Sequence, residues 1–376
     1  MKSWARARFV FLLLAILFPV TVLGAAQQAT PAKPAATGSA APADSKATAT
    51  KTKTTVEGVR ANRATGRDTT IVGEMREEAI ALKPLYKTPA VWGFLDSTRA
   101  LPDPGFRTIY FDSSRQHFYS DAQAKAMSEG DRAKLMSRKM DSNFYYNTRY
   151  GTPLAYARAL DLVAQQGVKS FSGMKIVDYG YGGIGHLRLL ALQGANVTGV
   201  DVDPLLPLLY SDPRDQGKIG KSGKLTLVNG RFPADPGIAD QVGTDYDLFI
   251  SKNTLKHGYI HPTRPVDKRQ LVDLGVDDST FVAAVRGILK PGGYVLIYNL
   301  SPRPSRDDEP YQPMTDGHDP FPRSLWENSG FEVIAYDQVD DDAARAMAKA
   351  LRWDEGDSGM SLQALFGHYT LVRKKK

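Results

Sequence analysis

The second half of the chain alternates short apolar runs with amphipathic segments. The runs are rich in β-branched residues, as in strands that are buried on both faces of a parallel sheet. They lie at 175–179, 195–201, 225–228, 246–250, 294–298, 331–335 and 368–372. The segments between them have helical periodicity, notably 279–289 and 341–351. This alternation predicts an α/β fold with a doubly wound, mostly parallel sheet of seven strands.

The region before these runs has a mixed pattern. Residues 107–111 predict a strand, and 131–140 predict a short helix capped by Asp131. A helix of about 152–166 then begins with Thr152 and Pro153, since proline is favoured at the first helical position. We interpret 57–142 as an N-terminal appendage to the main domain.

A glycine-rich turn follows the first apolar run, in the sequence Asp178-Tyr-Gly-Tyr-Gly-Gly-Ile-Gly185. Its glycines permit positive φ and close backbone approach to a ligand; they are Gly180, Gly182, Gly183 and Gly185. The helix that begins here offers free N–H groups. Asp201 ends the next strand, 21 residues after Gly180, where a carboxylate can accept hydrogen bonds from a ribose diol. Together these residues predict half of a nucleoside-cofactor site.

Two classes of cofactor fit this spacing. Gly180-x-Gly182-x-x-Gly185, with Asp201, matches the dinucleotide fingerprint. Asp178-x-Gly180-x-Gly182 also resembles motif I of class I S-adenosylmethionine-dependent methyltransferases, in which an acidic residue precedes the glycines. Ile184 departs from that motif, because the last glycine is displaced to Gly185.

Three further features are similar to the methyltransferase family. The segment Ile250–His257 resembles the one that lines the methyl-transfer site in many members, and Leu289-Lys-Pro-Gly-Gly293 resembles the turn before their fifth strand. The last two strands follow as a terminal pair, where the family has an antiparallel hairpin. The resemblance covers about 143–376 and implies the strand order 3-2-1-4-5-7-6.

The resemblance also implies a cofactor, S-adenosylmethionine, and a set of residues that bind it. These are Asp178, Gly180, Gly182, Gly183, Gly185, Asp201, Gly230 and Ser251. Tyr146, Arg149 and Tyr150 lie in the segment that often covers the methionine end, although an ordinary aromatic cluster is the alternative. Arg231 stands where many members carry an acid for the adenine amino group, and a guanidinium cannot accept that hydrogen bond.

Composition excludes several classes of function. The formal charge is +7, but seven of the 48 basic residues precede Glu57 and four follow Val372. The remainder carries 37 basic and 40 acidic residues, so no basic face for nucleic acid is expected. The chain has no cysteine, which excludes disulfides, thiolate metal sites and cysteine nucleophiles.

The first residues resemble a targeting segment. Basic residues precede an apolar run over 9–23, and Gly24-Ala-Ala26 offers small residues for cleavage. This predicts a signal peptide over 1–26 and export to the periplasm or the medium, with an uncleaved N-terminal anchor as the alternative. Residues 27–56 are rich in Ala, Thr, Pro and Lys and predict a disordered linker.

His257 is the predicted general base, because the unperturbed pKa of histidine lies near neutrality. The histidines and acids around it and in the loop 301–322 could form a metal site, but a solvated loop is the simpler interpretation, and no metal is expected. We predict methyl transfer to an oxygen or nitrogen nucleophile. The alternatives are an exported non-catalytic binding domain and an NAD(P)-dependent oxidoreductase. The acceptor, whether small molecule or exported polymer, and the oligomeric state stay open.

Overall fold

The computed structural model describes residues 70–114, 117–147, 151–356 and 359–376. The predicted signal peptide and linker lie outside these residues. The described strands are β1 (Arg107–Phe111), β2 (Phe118–Ser120), β3 (Met136–Met140), β4 (Lys175–Tyr179), β5 (Asn196–Asp201), β6 (Gly217–Ile219), β7 (Gly223–Asn229), β8 (Tyr246–Lys252), β9 (Leu289–Pro302), β10 (Phe331–Val339) and β11 (Leu365–Lys374).

The helices lie between these strands and before them. They are α1 (Ile71–Leu82), α2 (Pro89–Asp96), α3 (Asp121–Ala126), α4 (Glu129–Arg132), α5 (Ser142–Asn147), α6 (Ala157–Ala164), α7 (Gly185–Leu192), α8 (Leu206–Leu209), α9 (Ile238–Val242), α10 (His257–Ile260), α11 (Asp278–Ile288), α12 (Arg323–Asn328) and α13 (Asp341–Ala350). Among the residues that the structure describes, no helix is both long and apolar enough to cross a membrane.

The large sheet has the order β10-β11-β9-β8-β4-β5-β7-β6. Strands β9, β8, β4, β5 and β7 run parallel to one another, whereas β11 is antiparallel to both β9 and β10. The seven predicted strands therefore lie in the expected order. The count of seven was wrong, because β6 adds an eighth strand that pairs antiparallel with β7. It has only three residues, too few for a periodic pattern.

Two sets of helices cover the two faces of this sheet. Helices α1, α2, α6, α7 and α13 bury their apolar side chains against one face. Helices α9, α11 and α12 cover the other face, where the Phe281 ring lies edge-on to Tyr179 at a centroid distance of 5.3 Å. The sheet is thus buried on both sides, which explains its apolar strands.

The N-terminal residues form a small sheet in the order β2-β1-β3. The helix predicted over 131–140 was wrong, because α4 ends at Arg132 and the following Met136–Met140 pairs with β1. Asp131 is not the cap either, since the Ser128 hydroxyl accepts the hydrogen bond from the Asp131 N–H. Four of the five β3 residues are exposed, so main-chain pairing with β1 decides the local structure.

Buried polar contacts join this region to the large sheet. Asp215, which is 2% exposed, accepts hydrogen bonds from Arg107 of β1 at 3.1 Å and from the Tyr145 hydroxyl at 2.6 Å. Apolar side chains of α1 and α2 belong to the same buried cluster as those of α6 and α7. The described residues between 70 and 147 therefore share their core with the sheet.

Candidate functional site

The glycine turn connects the carboxyl end of β4 to the start of α7. Gly180 and Gly182 have φ values of +75° and +56°. The Gly182 N–H donates to Oδ2 of Asp201 at 2.9 Å, and the Asp203 N–H donates to Oδ1 of the same carboxylate at 2.9 Å. The turn after β4 and the acid that ends β5 therefore form one hydrogen-bonded unit. Its position, where the chain crosses to opposite sides of the sheet, suits a ligand site.

Two of the four glycines are required by packing within the chain. A Cβ on Gly180 would lie 2.1 Å from Oγ1 of Thr254, and one on Gly185 would lie 2.8 Å from Pro153. Real Cβ atoms do not approach other atoms so closely, so neither position tolerates a side chain without rearrangement. At Gly180 and Gly185, therefore, close approach of other parts of the protein accounts for the glycine.

Asp178 lies at the centre of a buried polar cluster below the turn. It is 0% exposed, and its Oδ2 accepts a hydrogen bond of 2.9 Å from the Tyr156 hydroxyl. Nε2 of His186 contacts the same oxygen, and the His186 and Tyr156 rings stack at 3.6 Å. Burial, and then Asp178, raise the pKa of Tyr156 well above its usual range, so the hydroxyl remains a donor. Oδ1 of Asp178 has no partner among the described residues.

Lys252 completes this cluster from the neighbouring strand. It is the last residue of β8, it is 8% exposed, and its Nζ lies 5.5 Å from the centre of the Tyr156 ring. Burial lowers the pKa of Lys252 to about 8, while the Asp178 carboxylate acts in the opposite direction. A buried lysine is rare unless it is paired or functional.

A second side of the site lies beyond Asp201. Val202 is 56% exposed beside that carboxylate, and an exposed valine there offers an apolar surface to a planar base. The Gly230 N–H donates to the Asp201 carbonyl at 3.0 Å, which holds the end of β7 against it. Arg231, which stands where many methyltransferases carry an acid for the adenine amino group, forms ion pairs with Asp235 and Asp273. Two carboxylates therefore lie close to this position.

The remaining predicted residues have different surroundings. Ser251 is fully buried, and its hydroxyl donates to the Tyr179 carbonyl at 3.1 Å, a bond between strands β8 and β4. Gly183 lies in the turn, where its N–H donates to the Tyr181 carbonyl at 2.5 Å. The Tyr146 hydroxyl donates to the Pro102 carbonyl at 2.5 Å, so its polar end faces the N-terminal region. Arg149 and Tyr150 lie outside the described residues.

His257 begins α10, beyond the end of β8. Its Nδ1 lies 2.8 Å from Oδ2 of Asp316, and its main-chain N–H donates to the His318 carbonyl. About a third of the side chain is exposed. His257 therefore binds to the loop between β9 and α12, and Nε2 is the nitrogen that this carboxylate leaves available. Within the described residues, no group of three or more histidines and acids is arranged to hold a metal ion.

A groove of about 700 Å³ lies between α10, the start of α11 and α12. Its walls include Ile260, Val272 and Leu325, and Asp273 and Asp278 contribute carboxylates. Asp273 also pairs with Arg231, the residue after Gly230. The groove is thus connected to the end of β7 through this ion pair.

Three residues of the site were not predicted from the sequence: Tyr156, Lys252 and Val202. A signal was present for Lys252, because a lysine directly after the apolar run 246–250 has to be accommodated at the end of a strand buried on both faces. No comparable signal marked Tyr156, whose contact with Asp178 joins residues 22 positions apart.

Comparisons with known proteins give matches of structure only. No protein-family model matches the chain, and no curated protein sequence matches it either. A similar solved structure is an S-adenosylmethionine dependent methyltransferase from Mesorhizobium loti: 17% identity, 58% of this chain and 98% of that chain covered, and a TM-score of 0.35. Another is magnesium protoporphyrin IX methyltransferase from Synechocystis with bound S-adenosylmethionine. The sequences are 14% identical, the match covers 61% of this chain and 82% of that chain, and the TM-score is 0.33.

The assignment of the fold depends on the topology of the sheet. Parallel strands in the expected order, a glycine turn after β4 and a final antiparallel pair occur together in this chain. The chain has the doubly wound α/β fold of the class I S-adenosylmethionine-dependent methyltransferases.

Proposed function

We propose that the protein binds S-adenosylmethionine and transfers its methyl group to an oxygen or nitrogen nucleophile. One observation carries the proposal. The glycine turn after Asp178 and the acid Asp201 lie at the ends of adjacent parallel strands, joined by the bond from Gly182 to Asp201. This arrangement supports a site at one edge of the sheet, in which the Asp201 carboxylate would bind a ribose beside the glycine turn.

The residues present fit such a cofactor in three respects. The Asp201 carboxylate lies beside the glycine turn and accepts main-chain hydrogen bonds from Gly182 and Asp203, and a carboxylate is the group that accepts hydrogen bonds from the hydroxyls of a ribose. Val202 provides an exposed apolar surface beside it for the base. The unpartnered Oδ1 of Asp178 can accept a hydrogen bond from an amino group. When bound, the cofactor supplies an electrophilic methyl group.

The acceptor requires a binding surface and a group that takes its proton. The groove beside α10 is the best candidate surface, since it offers both apolar side chains and carboxylates and Asp273 in its wall pairs with Arg231 at the end of β7. His257, held by Asp316 through Nδ1, can take a proton on Nε2. This role for His257 stays a prediction.

An NAD(P)-dependent oxidoreductase is the weaker alternative. A dinucleotide fold continues into a second βαβαβ half, whereas β10 and β11 form an antiparallel pair. An exported binding domain without catalysis has one observation in its favour: the packing of Thr254 and Pro153 explains two of the glycines without any ligand. Export would also separate the protein from a cofactor that is made in the cytoplasm.

Calorimetry on the protein tests the proposal. We expect binding of S-adenosylmethionine but not of NAD or NADP, and weaker binding in Asp201→Ala by about 1–3 kcal/mol, the contribution of hydrogen bonds to a charged group. Asp240→Ala, at an exposed acid in α9, is the matched control and should bind as the wild type does. Tighter binding of a dinucleotide would favour the oxidoreductase, and binding of neither would favour the non-catalytic domain.

Two further measurements address the activity and the location. Incubation with methyl-labelled cofactor and an extract of the cell envelope should label an acceptor. Fractionation of cells should place the protein outside the cytoplasm if the signal peptide functions as predicted. An exported protein that neither binds the cofactor nor labels an acceptor would contradict the proposed enzyme.

A further inference from the structure

We propose that Lys252 is the catalytic base that takes the proton from the methyl acceptor. The inference depends on the proposed function, which supplies the reacting methyl group. Lys252 ends β8, the strand next to β4, and β4 carries Asp178 and leads directly into the glycine turn. The amine is thus located at the edge of the sheet where a cofactor bound to this turn would lie.

The surroundings of Lys252 connect it to the turn from two directions. Its Nζ faces the Tyr156 ring, whose hydroxyl bonds to Asp178. Two residues later, Thr254 donates to the Gly180 carbonyl at 3.3 Å and packs on the Gly180 Cα. The end of β8 therefore contacts both the acid before the turn and the first glycine of the turn.

Lys256 shows what a structural buried lysine looks like in the same segment. Its Nζ donates to the Leu300 carbonyl at 2.7 Å, to the Ser301 hydroxyl at 3.1 Å and to the Met314 carbonyl at 3.1 Å. Its three donors are thus satisfied. Lys252 is also buried, with 8% of its surface exposed, yet no described residue accepts a hydrogen bond from its Nζ. Its amine is therefore available to another partner.

The ionisation of Lys252 suits a base. A buried ammonium without hydrogen bonds is unfavourable, so burial favours the neutral amine and lowers the pKa of Lys252 to about 8. A substantial fraction is then neutral at physiological pH, and only the neutral amine can accept a proton. A lysine near its usual pKa of about 10.4 would be almost fully protonated.

The proposed step balances in atoms and electrons. A lone pair on the acceptor oxygen or nitrogen forms the new bond to the methyl carbon. The carbon–sulfur bond breaks, its electron pair stays on sulfur, and the acceptor's proton moves to Nζ of Lys252. The neutral amine becomes an ammonium, which loses this proton to solvent before the next turnover.

A binding measurement tests this placement without any acceptor. S-adenosylmethionine has a permanent positive charge on sulfur, and S-adenosylhomocysteine does not. If Lys252 faces the sulfur, its ammonium repels the charged ligand, so the affinity ratio of the two ligands should shift about tenfold towards S-adenosylmethionine between pH 6.5 and pH 9. The amino groups of the ligands also titrate, so the readout is the difference between wild type and variants.

Two variants separate charge from side-chain volume. Lys252→Met has no charge at position 252. At every pH between 6.5 and 9 it should therefore give the affinity ratio that wild type reaches only at high pH. Lys252→Arg retains its charge and should give the low-pH ratio throughout. Lys221→Met, at an exposed lysine between β6 and β7, is the matched control and should follow wild type. Near-ultraviolet circular dichroism establishes that each variant is folded.

The outcomes distinguish this inference from the function on which it depends. Binding of both ligands with the same pH dependence in wild type and Lys252→Met would overturn the role of Lys252 and leave the cofactor site intact. Binding of neither ligand by wild type would overturn the proposed function, and the role of Lys252 with it. The inference would be supported if the affinity ratio of wild type differs from that of Lys252→Met at low pH and equals it at high pH.

Discussion

Thr254 occupies the space that a Cβ atom on Gly180 would require, with its Oγ1 only 2.1 Å from that position. The first glycine of the turn after β4 and the segment after β8 are therefore fitted to each other. This contact joins the two strands at whose ends the proposed site lies. A change at Gly180 should consequently affect both the stability of the fold and the geometry of the site.

Gly180→Ala should lower the free energy of unfolding by about 2–4 kcal/mol, because it adds a steric clash to an unfavourable positive φ. Gly237→Ala is the control, since Gly237 has nearly the same φ, +74°, but open space around it. It should lose only about 1 kcal/mol. Urea unfolding of both variants measures the difference, and equal losses would show that the clash is absent.

Tyr156→Phe should destabilise the protein by about 2 kcal/mol, since it removes a hydrogen bond to the buried Asp178 carboxylate. Tyr86→Phe provides the comparison. Tyr86 is also buried, but its hydroxyl has no partner among the described residues, so its removal should be neutral or stabilising. Thermal unfolding of the two variants is the measurement. A larger loss in Tyr86→Phe would contradict the contacts assigned to the cluster.

Lys252 and His257 are alternative bases, and activity on a labelled acceptor separates them. We expect Lys252→Met to lower kcat by about a hundredfold or more, as for the loss of a general base. His257→Gln should have a smaller effect, because His257 binds Asp316 on the neighbouring loop. The kcat of wild type should rise with pH through about 8. A hundredfold loss in His257→Gln alone would assign the role to His257.

Asp319 should make the stability depend on pH. Burial raises its pKa from 3.8 to about 7, so the protonated acid favours the folded state. Its contribution is complete below pH 3.8 and is lost as the pH rises through about 7. Between pH 6 and pH 8, the free energy of unfolding of wild type should fall by about 1 kcal/mol more than that of Asp319→Asn, in which residue 319 cannot titrate. Urea unfolding at both pH values measures this difference. An equal change in the free energy of unfolding of wild type and variant would contradict the prediction.

Asp215→Ala should destabilise the protein by about 3 kcal/mol, because it leaves Arg107 and the Tyr145 hydroxyl without their buried acceptor. Asp308→Ala is a suitable control: Asp308 pairs with Arg306 on the surface, both side chains are exposed, and the pair should contribute less than about 1 kcal/mol. A double-mutant cycle with Tyr145→Phe would measure the coupling across the bond. Additive effects would indicate that the contact contributes nothing.

The sheet could be predicted from sequence because its strands are apolar on both faces. All seven predicted runs are strands, and Leu365–Lys374 and Leu289–Pro302 extend well beyond them. The errors fall where the pattern is weak. β3 has only Met140 buried, and β6 has three residues, so both depend on pairing with a neighbour that the local sequence does not reveal.

The site could be predicted only where a local motif exists. The Asp178 turn and Asp201 lie close together, as their spacing indicated. The role of Thr254 opposite Gly180, and of Tyr156 opposite Asp178, arises from contacts between distant segments. Such contacts depend on the packed fold, and a single sequence contains no periodicity that marks them.

The short strand β6 has a consequence for behaviour at high concentration. An uncovered β7 would present unpaired N–H and C=O groups to another chain, and such an edge is a template for aggregation. β6 pairs with those groups over only three residues and carries the exposed Lys218 at its centre. At the opposite edge, β10 has two irregularities in its register with β11, which disturb further strand addition. Both ends of the sheet thus resist intermolecular β-pairing, so the folded protein should stay dispersed at concentrations at which an open sheet edge would recruit further chains.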